Sequence, residues 1–468
     1  MKRMLFAALA ATIMFASCNK EDNNEVIVQD GDATTMGLSF SVPTATNTRA
    51  DGDEITATAD ESKITSITVF AFKNNGSAAV GNNTRFGNIA TEFDAPVSGV
   101  YKLKESHRIE TTTATKKLYV VANLAAVSAT DADTEAKLQA LMATWDATGK
   151  TWLIPTTGMV MASQMVPVNL KTQLVNSVPT ENEISADLER VSSKVVVTTN
   201  NSTKQYQQTL AQVNDAAFTI TYTVNDWATG IVNTEAFLAQ KFDFAGKLMT
   251  PTANRTGRPT TDAEFTTVNN SGVKGTWSGI SYKYVGENAP ESNKLGESTY
   301  IMIRTQAKPN RQASVVSGNV VWTPAGADLN SGFWILWNNT MGYEGMYFCK
   351  NEATADEVAS KLVGTNFTKL EYKGGYVYYM VTLNLNKTAK ATIFRNQFVH
   401  VDVTGVTNDV FVGMPGSGTD GTTPPDPEDP NNPEPWTPEE PVEEMIAYLQ
   451  VNVVAKPWIY SGTEVELK

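Results

Sequence analysis

Residues able to do chemistry are few in this sequence, and the two that stand out lie near its start. Cys18 directly follows the small residues Ala16 and Ser17, and Arg49 precedes Ala50 in a polar run leading to the acidic cluster "DGDE" at 51–54. The first pair of features marks a signal cleavage site; the second marks a bond that a trypsin-like protease could cut in an exposed loop. The rest argues against catalysis. His107 and His400 are the two histidines, so there is no HExxH, no paired-histidine metal site and no cue for a triad, and neither catalytic residues nor a metal or other cofactor is expected. "GSGTDG" at 416–421 has the glycines of a phosphate loop but lacks the following lysine and a flanking helix, so it reads as flexible linker. "DGDE" reads as a solvated turn keeping the cleavage loop open rather than as a calcium site, and Cys349 as a buried small hydrophobe.

Lys2 and Arg3, the apolar run Met4 to Phe15, and Ala16-Ser17-Cys18 form an export signal too short to span a bilayer. The cysteine after the small residues resembles the bacterial lipobox, in which Cys18 is lipidated and becomes the mature N-terminus; Phe15 stands where leucine is usual. The alternative is an ordinary secretory signal with a chance cysteine. With two cysteines in all, lipidation of Cys18 leaves no intramolecular disulfide. A net charge of -13 over 468 residues provides no basic stripe for phosphates, so a nucleic-acid partner is not expected.

These features need a β scaffold to position them. Runs with period-two alternation, rich in Val, Ile, Thr and Tyr, recur at 64–72, 117–124, 193–199, 218–224, 300–307, 376–385 and 398–406. Two helices are expected: "TEAKLQALMATW", with Leu138, Leu141, Met142 and Trp145 on one face, and "TADEVASKL", opened by a capping box of Thr354 and Glu357. A polar stretch near 200–215 suggests a domain boundary. "PGSGTDGTTPPDPEDPNNPEPWTPEEPVEE" reads as an extended spacer. Beyond it, Leu449, Val451, Val453 and Ala455 alternate with polar residues in a strand that the sequence leaves without a neighbour. The same one-sided pattern appears ahead of the polar loop, in Met36, Leu38, Phe40 and Val42. Two strands with one pattern could fill one groove. If a cut after Arg49 removes the first, a strand from another subunit could complete the open edge, and the head-to-tail geometry would not close on itself. Trp334, Trp337, Tyr343 and Tyr347 form an aromatic cluster that reads as core packing, with a glycan or protein platform as the rival.

The signal, the N-T-R-A segment, "LERVSSKVVV", "FRNQFVHVDV", the acidic spacer and "LQVNVVAKPWIYSGTEVEL", in that order, resemble the fimbrillins of Bacteroidales type V pili, and among them the stalk subunits of the minor fimbrium. The resemblance implies a mainly β fold of two transthyretin-like β-sandwich domains with a few short helices. Its expected divisions are a signal at 1–17, a propeptide at 18–49, domains at 50–210 and 211–414, a spacer at 415–446 and a donor strand at 447–468. It also implies lipid-dependent transport to the outer membrane, cleavage at Arg49-Ala50 by an arginine-specific surface protease, and polymerisation with itself and with pilus tip and anchor subunits on the extracellular face. A tip or anchor subunit, and a monomeric surface lipoprotein binding glycan or host protein, are the alternatives.

Overall fold

The computed structural model describes residues 31–42, 57–144, 157–172, 182–209, 218–251, 254–270, 280–291, 294–338, 346–362, 366–383, 392–406, 413–426, 428 and 449–457. The protein is mainly β, with a few short helices. The first large sheet runs, neighbour by neighbour, through Thr84–Phe86, Ile67–Lys73, Ala114–Ala122, Met161–Ser163, Glu183–Arg190, Ala33–Ser41 and Val100–Lys102. Ile67–Lys73 and Ala114–Ala122 are apolar on both faces, and the structure gives the reason. Ile67, Val69, Leu118 and Val120 face one core together with Met36, Leu38 and Phe40. Phe70, Phe72, Tyr119 and Val121 belong to a second core shared with Val195, Val285, Ile301 and Phe398 from later in the chain. Alternation along one strand therefore divides its side chains between two cores.

Besides four small sheets of two or three strands among the described residues, two further large sheets follow. One orders Asn269–Asn270, Ser192–Thr199, Gln397–Val406 and Leu449–Pro457, with Lys283–Gly286 beside Ser192–Thr199. The other orders Gln205–Thr209, Thr219–Gly230, Tyr300–Pro309, Tyr376–Thr382 and Met414–Pro415. The chain passes from the first sheet to the second across Val191 alone, between Glu183–Arg190 and Ser192–Thr199. Within the polar stretch near 200–215, residues 205–209 form the edge strand Gln205–Thr209, whose outward residues meet water.

Both expected helices form, the first shorter than expected and the second starting earlier. Glu135–Ala140 buries Leu138 but ends at Leu141, and Met142–Thr144 instead pairs with Glu235–Phe237; Trp145 lies outside the described residues. Glu352–Lys361 is capped by Asn351, whose side chain accepts from Thr354 N, so the helix begins ahead of the expected capping box.

Two other expectations change. "GSGTDG" is not loose: residues 413–426 are folded against the third sheet, with Met414–Pro415 paired to Val377–Tyr378 and Ser417 bridged to Thr423. The strand expected to lack a neighbour has one. Leu449–Pro457 runs antiparallel to Gln397–Val406, which otherwise ends its sheet as an open edge with the complementary alternation.

Candidate strand-exchange sites

The leading strand, Ala33–Ser41, occupies a slot with partners on both flanks. It runs parallel to Glu183–Arg190 on one side, from Gly37 opposite Glu183 to Ser41 opposite Asp187. On the other side its first half pairs with Ile109–Thr112 and its second half with Val100–Lys102. Met36, Leu38, Phe40 and Val42 are all buried, at 0%, 1%, 0% and 4% exposure. Phe40 meets Phe93 edge-on with ring centres 5.3 Å apart and stacks on Tyr101 at 4.9 Å. At roughly 1.5–3 kcal/mol for each fully buried apolar side chain, these four contribute about 6–12 kcal/mol. That is comparable with the whole stability of an ordinary domain, so an emptied slot must be refilled.

Polar contacts fix the register. Asn182 Nδ2 donates to Thr34 Oγ1 at 3.0 Å and to Thr35 O at 3.1 Å, while Thr34 Oγ1 donates to Lys171 O at 2.9 Å. Ser39 Oγ donates to Ile184 O and Ser41 Oγ to Asp187. Arg108 donates from Nε to Thr35 Oγ1 at 3.1 Å and forms ion pairs with Glu183 and Glu105. The Glu183 carboxylate lies where a Cβ on residue 37 would stand, 2.3 Å from it, so Gly37 leaves room for this clasp. Sequence reading found the four apolar residues but none of their polar fasteners, which come from segments about 70 to 150 positions away and have no local signature.

The expected processing bond, Arg49-Ala50, and Cys18 lie outside the described residues. The chain becomes described again at Ala57, and Thr58 and Glu61 cap a single helical turn reciprocally. Glu61 is fully buried and pairs with Lys194 Nζ at 2.7 Å, while Tyr284 Oη donates to the same carboxylate. Arg190 donates to the Glu61 backbone oxygen, to Ser62 Oγ and to Asn396 Oδ1. Burial pushes the Arg190 guanidinium down to about 10 and also lowers Lys194, against the opposing pull of Glu61. The segment downstream of the Arg49-Ala50 bond is thus bolted to the point where the chain changes sheets.

The terminal strand, Leu449–Pro457, has a different setting. Among the described residues it pairs with Gln397–Val406 alone, interrupted by a bulge between Val403 and Gly405. The register sets Val451, Val453 and Ala455 opposite Val403, Val401 and Val399, and Leu449 opposite Val406. Val451 is half-buried against the shared core.

The remaining candidates do not assemble into a chemical site. His107 is exposed beside Ser106, whereas His400 meets Thr198 Oγ1 at 2.7 Å on a strand of another sheet. Cys349 is buried and its thiol pushed up to about 12 by desolvation. Trp334, Trp337 and Tyr347 are half-buried, Tyr347 stacking on Trp322; Tyr343 lies outside the described residues. Among the described residues no group of three or more His, Cys, Asp or Glu could hold a metal, and no helix is long and apolar enough to cross a membrane.

Residues 36–275, just over half the chain, match the sequence model of the major fimbrial subunit protein (FimA) family, and the match starts at Met36, the first buried apolar side chain of the leading strand. The chain belongs to that family. It is therefore a structural, non-enzymatic fimbrial subunit of the cell surface. Among solved structures it is similar to a fimbrilin from Porphyromonas gingivalis, at 16% identity and a TM-score of 0.43 over 93% of this chain and 100% of that one. It is also similar to the tip fimbrial protein Mfa3 of the same organism, truncated at its C-terminus, at 10% identity and 0.38 over 80% and 96%. The assignment of this fimbrial subunit rests on the family match rather than on these distant likenesses. No curated protein matches the chain.

Proposed function

We propose that this fimbrial subunit is a stalk component, made as a lipoprotein precursor acylated at Cys18, cut between Arg49 and Ala50, and polymerised head-to-tail by strand exchange. One contrast carries the reading. The strand ahead of the cut fills a slot with partners on both flanks and buries Met36, Leu38, Phe40 and Val42, while Leu449–Pro457 has the same alternation and, among the described residues, a partner on one flank. Once the leading strand departs, the slot between Glu183–Arg190 and Val100–Thr112 offers hydrogen-bonding groups on both sides and an open core. A terminal strand from a second copy would enter with Leu449, Val451, Val453 and Ala455 toward that core. Tip and anchor subunits would bound the polymer, and an arginine-specific surface protease would start it.

The direct test is the N-terminal sequence of polymer sheared from cells. Ala50 is expected as its first residue; a chain beginning at acylated Cys18 would refute the processing step. A Cys18→Ala precursor is expected to be absent from the outer membrane and to yield no surface polymer.

A further inference from the structure

The Pro-rich run after the third sheet begins with a built structure rather than with slack. Tyr372 Oη donates to Gly413 O at 2.8 Å, and Met414–Pro415 adds to the sheet edge at Val377–Tyr378. The chain then turns back on itself. Ser417 N donates to Thr423 O at 2.8 Å, and Asp420 Oδ1 accepts from both Thr422 N and Thr422 Oγ1.

Side chains of the body grip this turn, among them Lys373, whose Nζ donates to Gly418 O at 2.8 Å. Tyr378 Oη donates to Gly421 O at 3.1 Å and Thr422 O at 2.7 Å. Arg304 donates to Thr422 O at 3.2 Å, held in place by ion pairs with Asp226 and Asp262 and by the Phe265 and Tyr376 rings. Arg258 donates to Pro425 O and pairs with Asp426 at 2.8 Å. Pro424 and Pro425 are buried. The glycines are required rather than merely permissive. Gly421 has a φ of +81° and a Cβ there would meet Lys373 O at 2.2 Å; a Cβ on Gly416 would meet Gly421 O at 1.9 Å.

We infer that residues 413–426 form a hook that pins the root of the spacer, with Tyr378, Arg304 and Arg258 as positioning residues for the terminal strand. The 14 residues of the hook are then held to the body and do not serve as tether. Releasing the hook would add 14 residues, or roughly 50 Å of reach at about 3.3–3.6 Å per extended residue. In a head-to-tail polymer, the hook fixes where one subunit's strand leaves its body and so how closely successive bodies sit. This consequence rests on the strand-exchange reading; the hook itself does not.

The test uses the full chain with Gly421→Val, and Gly87→Val as the control, since apart from its chain neighbours no atom lies within 4 Å of a Cβ at 87. Tyr378→Phe removes only the gripping hydroxyl and serves if the valine variant fails to fold. In the precursor, amide exchange across 413–426 is expected to accelerate at least tenfold in either hook variant, with the sheets unchanged. Unchanged exchange, or wild-type exchange already as fast, overturns the hook. In polymers trimmed after Arg49, electron microscopy is expected to find a broader and longer spacing between subunits; unchanged spacing with a released hook overturns the positioning role. Failure of the wild-type chain to polymerise would count against strand exchange, and the hook would then be decided by amide exchange alone.

Discussion

The leading and terminal strands share one apolar alternation and differ in almost everything else. Ala33–Ser41 is hydrogen-bonded on both flanks and fastened by Asn182, Arg108 and Asp187, with its apolar side chains removed from water. Leu449–Pro457 has one described neighbour, a bulge in that pairing, and a half-buried Val451. Side-chain pattern alone thus does not set how firmly a strand is held. Position in the sheet does. An edge strand can peel from its one neighbour a few residues at a time, whereas a strand between two neighbours must break both ladders and empty a core together. Under the proposed strand exchange the two sites would suit opposite tasks: one would keep the fold closed until the chain is cut, the other would keep a segment sheltered but retrievable.

The sharpest way to break this contrast is a pair of deletions in the precursor. Removing residues 31–42 should cost on the order of 6–12 kcal/mol, enough to leave an aggregating or molten chain. Removing Ala447 to Lys468 should leave a cooperatively melting precursor that forms no oligomer ladder after trimming at Arg49. Urea denaturation and unheated gels read the two outcomes. Equal losses of stability would show that the edge strand is as integral as the central one. A milder version is Val451→Asp. The half-buried site in the precursor lets a carboxylate reach water, whereas a closed slot does not, so polymerisation should fail while the precursor folds. A variant that still assembles into heat-sensitive polymers would place the donor elsewhere.

How much of this was legible in the sequence depended on range. Period-two alternation located Met36, Leu38, Phe40 and Val42, and it marked the terminal strand, because burial on one face leaves a local trace. Which strand lies beside which is set by long-range pairing, so the partnership of Leu449–Pro457 with Gln397–Val406 was invisible. The change of sheet at Val191 was missed because no linker accompanies it; Arg190, Ser193 and Lys194 are polar residues buried at that crossing, paired with groups about 130 to 200 positions away. Composition misled at "GSGTDG", where glycines that look like slack are demanded by φ and close packing. It also misled at Met142, where helical spacing yielded to a strand pairing with Glu235–Phe237.

Single truncations should reproduce the contrast at smaller scale. Phe40→Ala empties a site walled by Phe93 and Tyr101 and is expected to cost about 3–5 kcal/mol of precursor stability. Val451→Ala removes two carbons from a half-buried position and should cost about 1 kcal/mol or less. Matching midpoints for the two variants in urea would mean that the terminal strand is packed as tightly as the leading one.

The smallest expected effect concerns the clasp across the leading strand. Arg108 is nearly buried, but Glu183 and Glu105 keep 29% and 57% of their side chains exposed, so solvent screens much of the attraction. Arg108→Met retains the aliphatic stem and removes the charge, and a loss of about 0.5–1 kcal/mol is expected at low salt. Because the pair is partly hydrated, the gap between wild type and variant should narrow as sodium chloride is raised from 0.05 to about 1 M, where the screening length falls to about 3 Å. A gap insensitive to salt would mean that the arginine acts through packing and its bond to Thr35. The functional readout is kinetic. After cleavage at Arg49, the leading strand should leave its slot sooner in Arg108→Met, seen as earlier loss of its amide protection, while exchange in Leu449–Pro457 stays the same. If both strands quicken together, the clasp is stabilising the whole fold and not one strand of it.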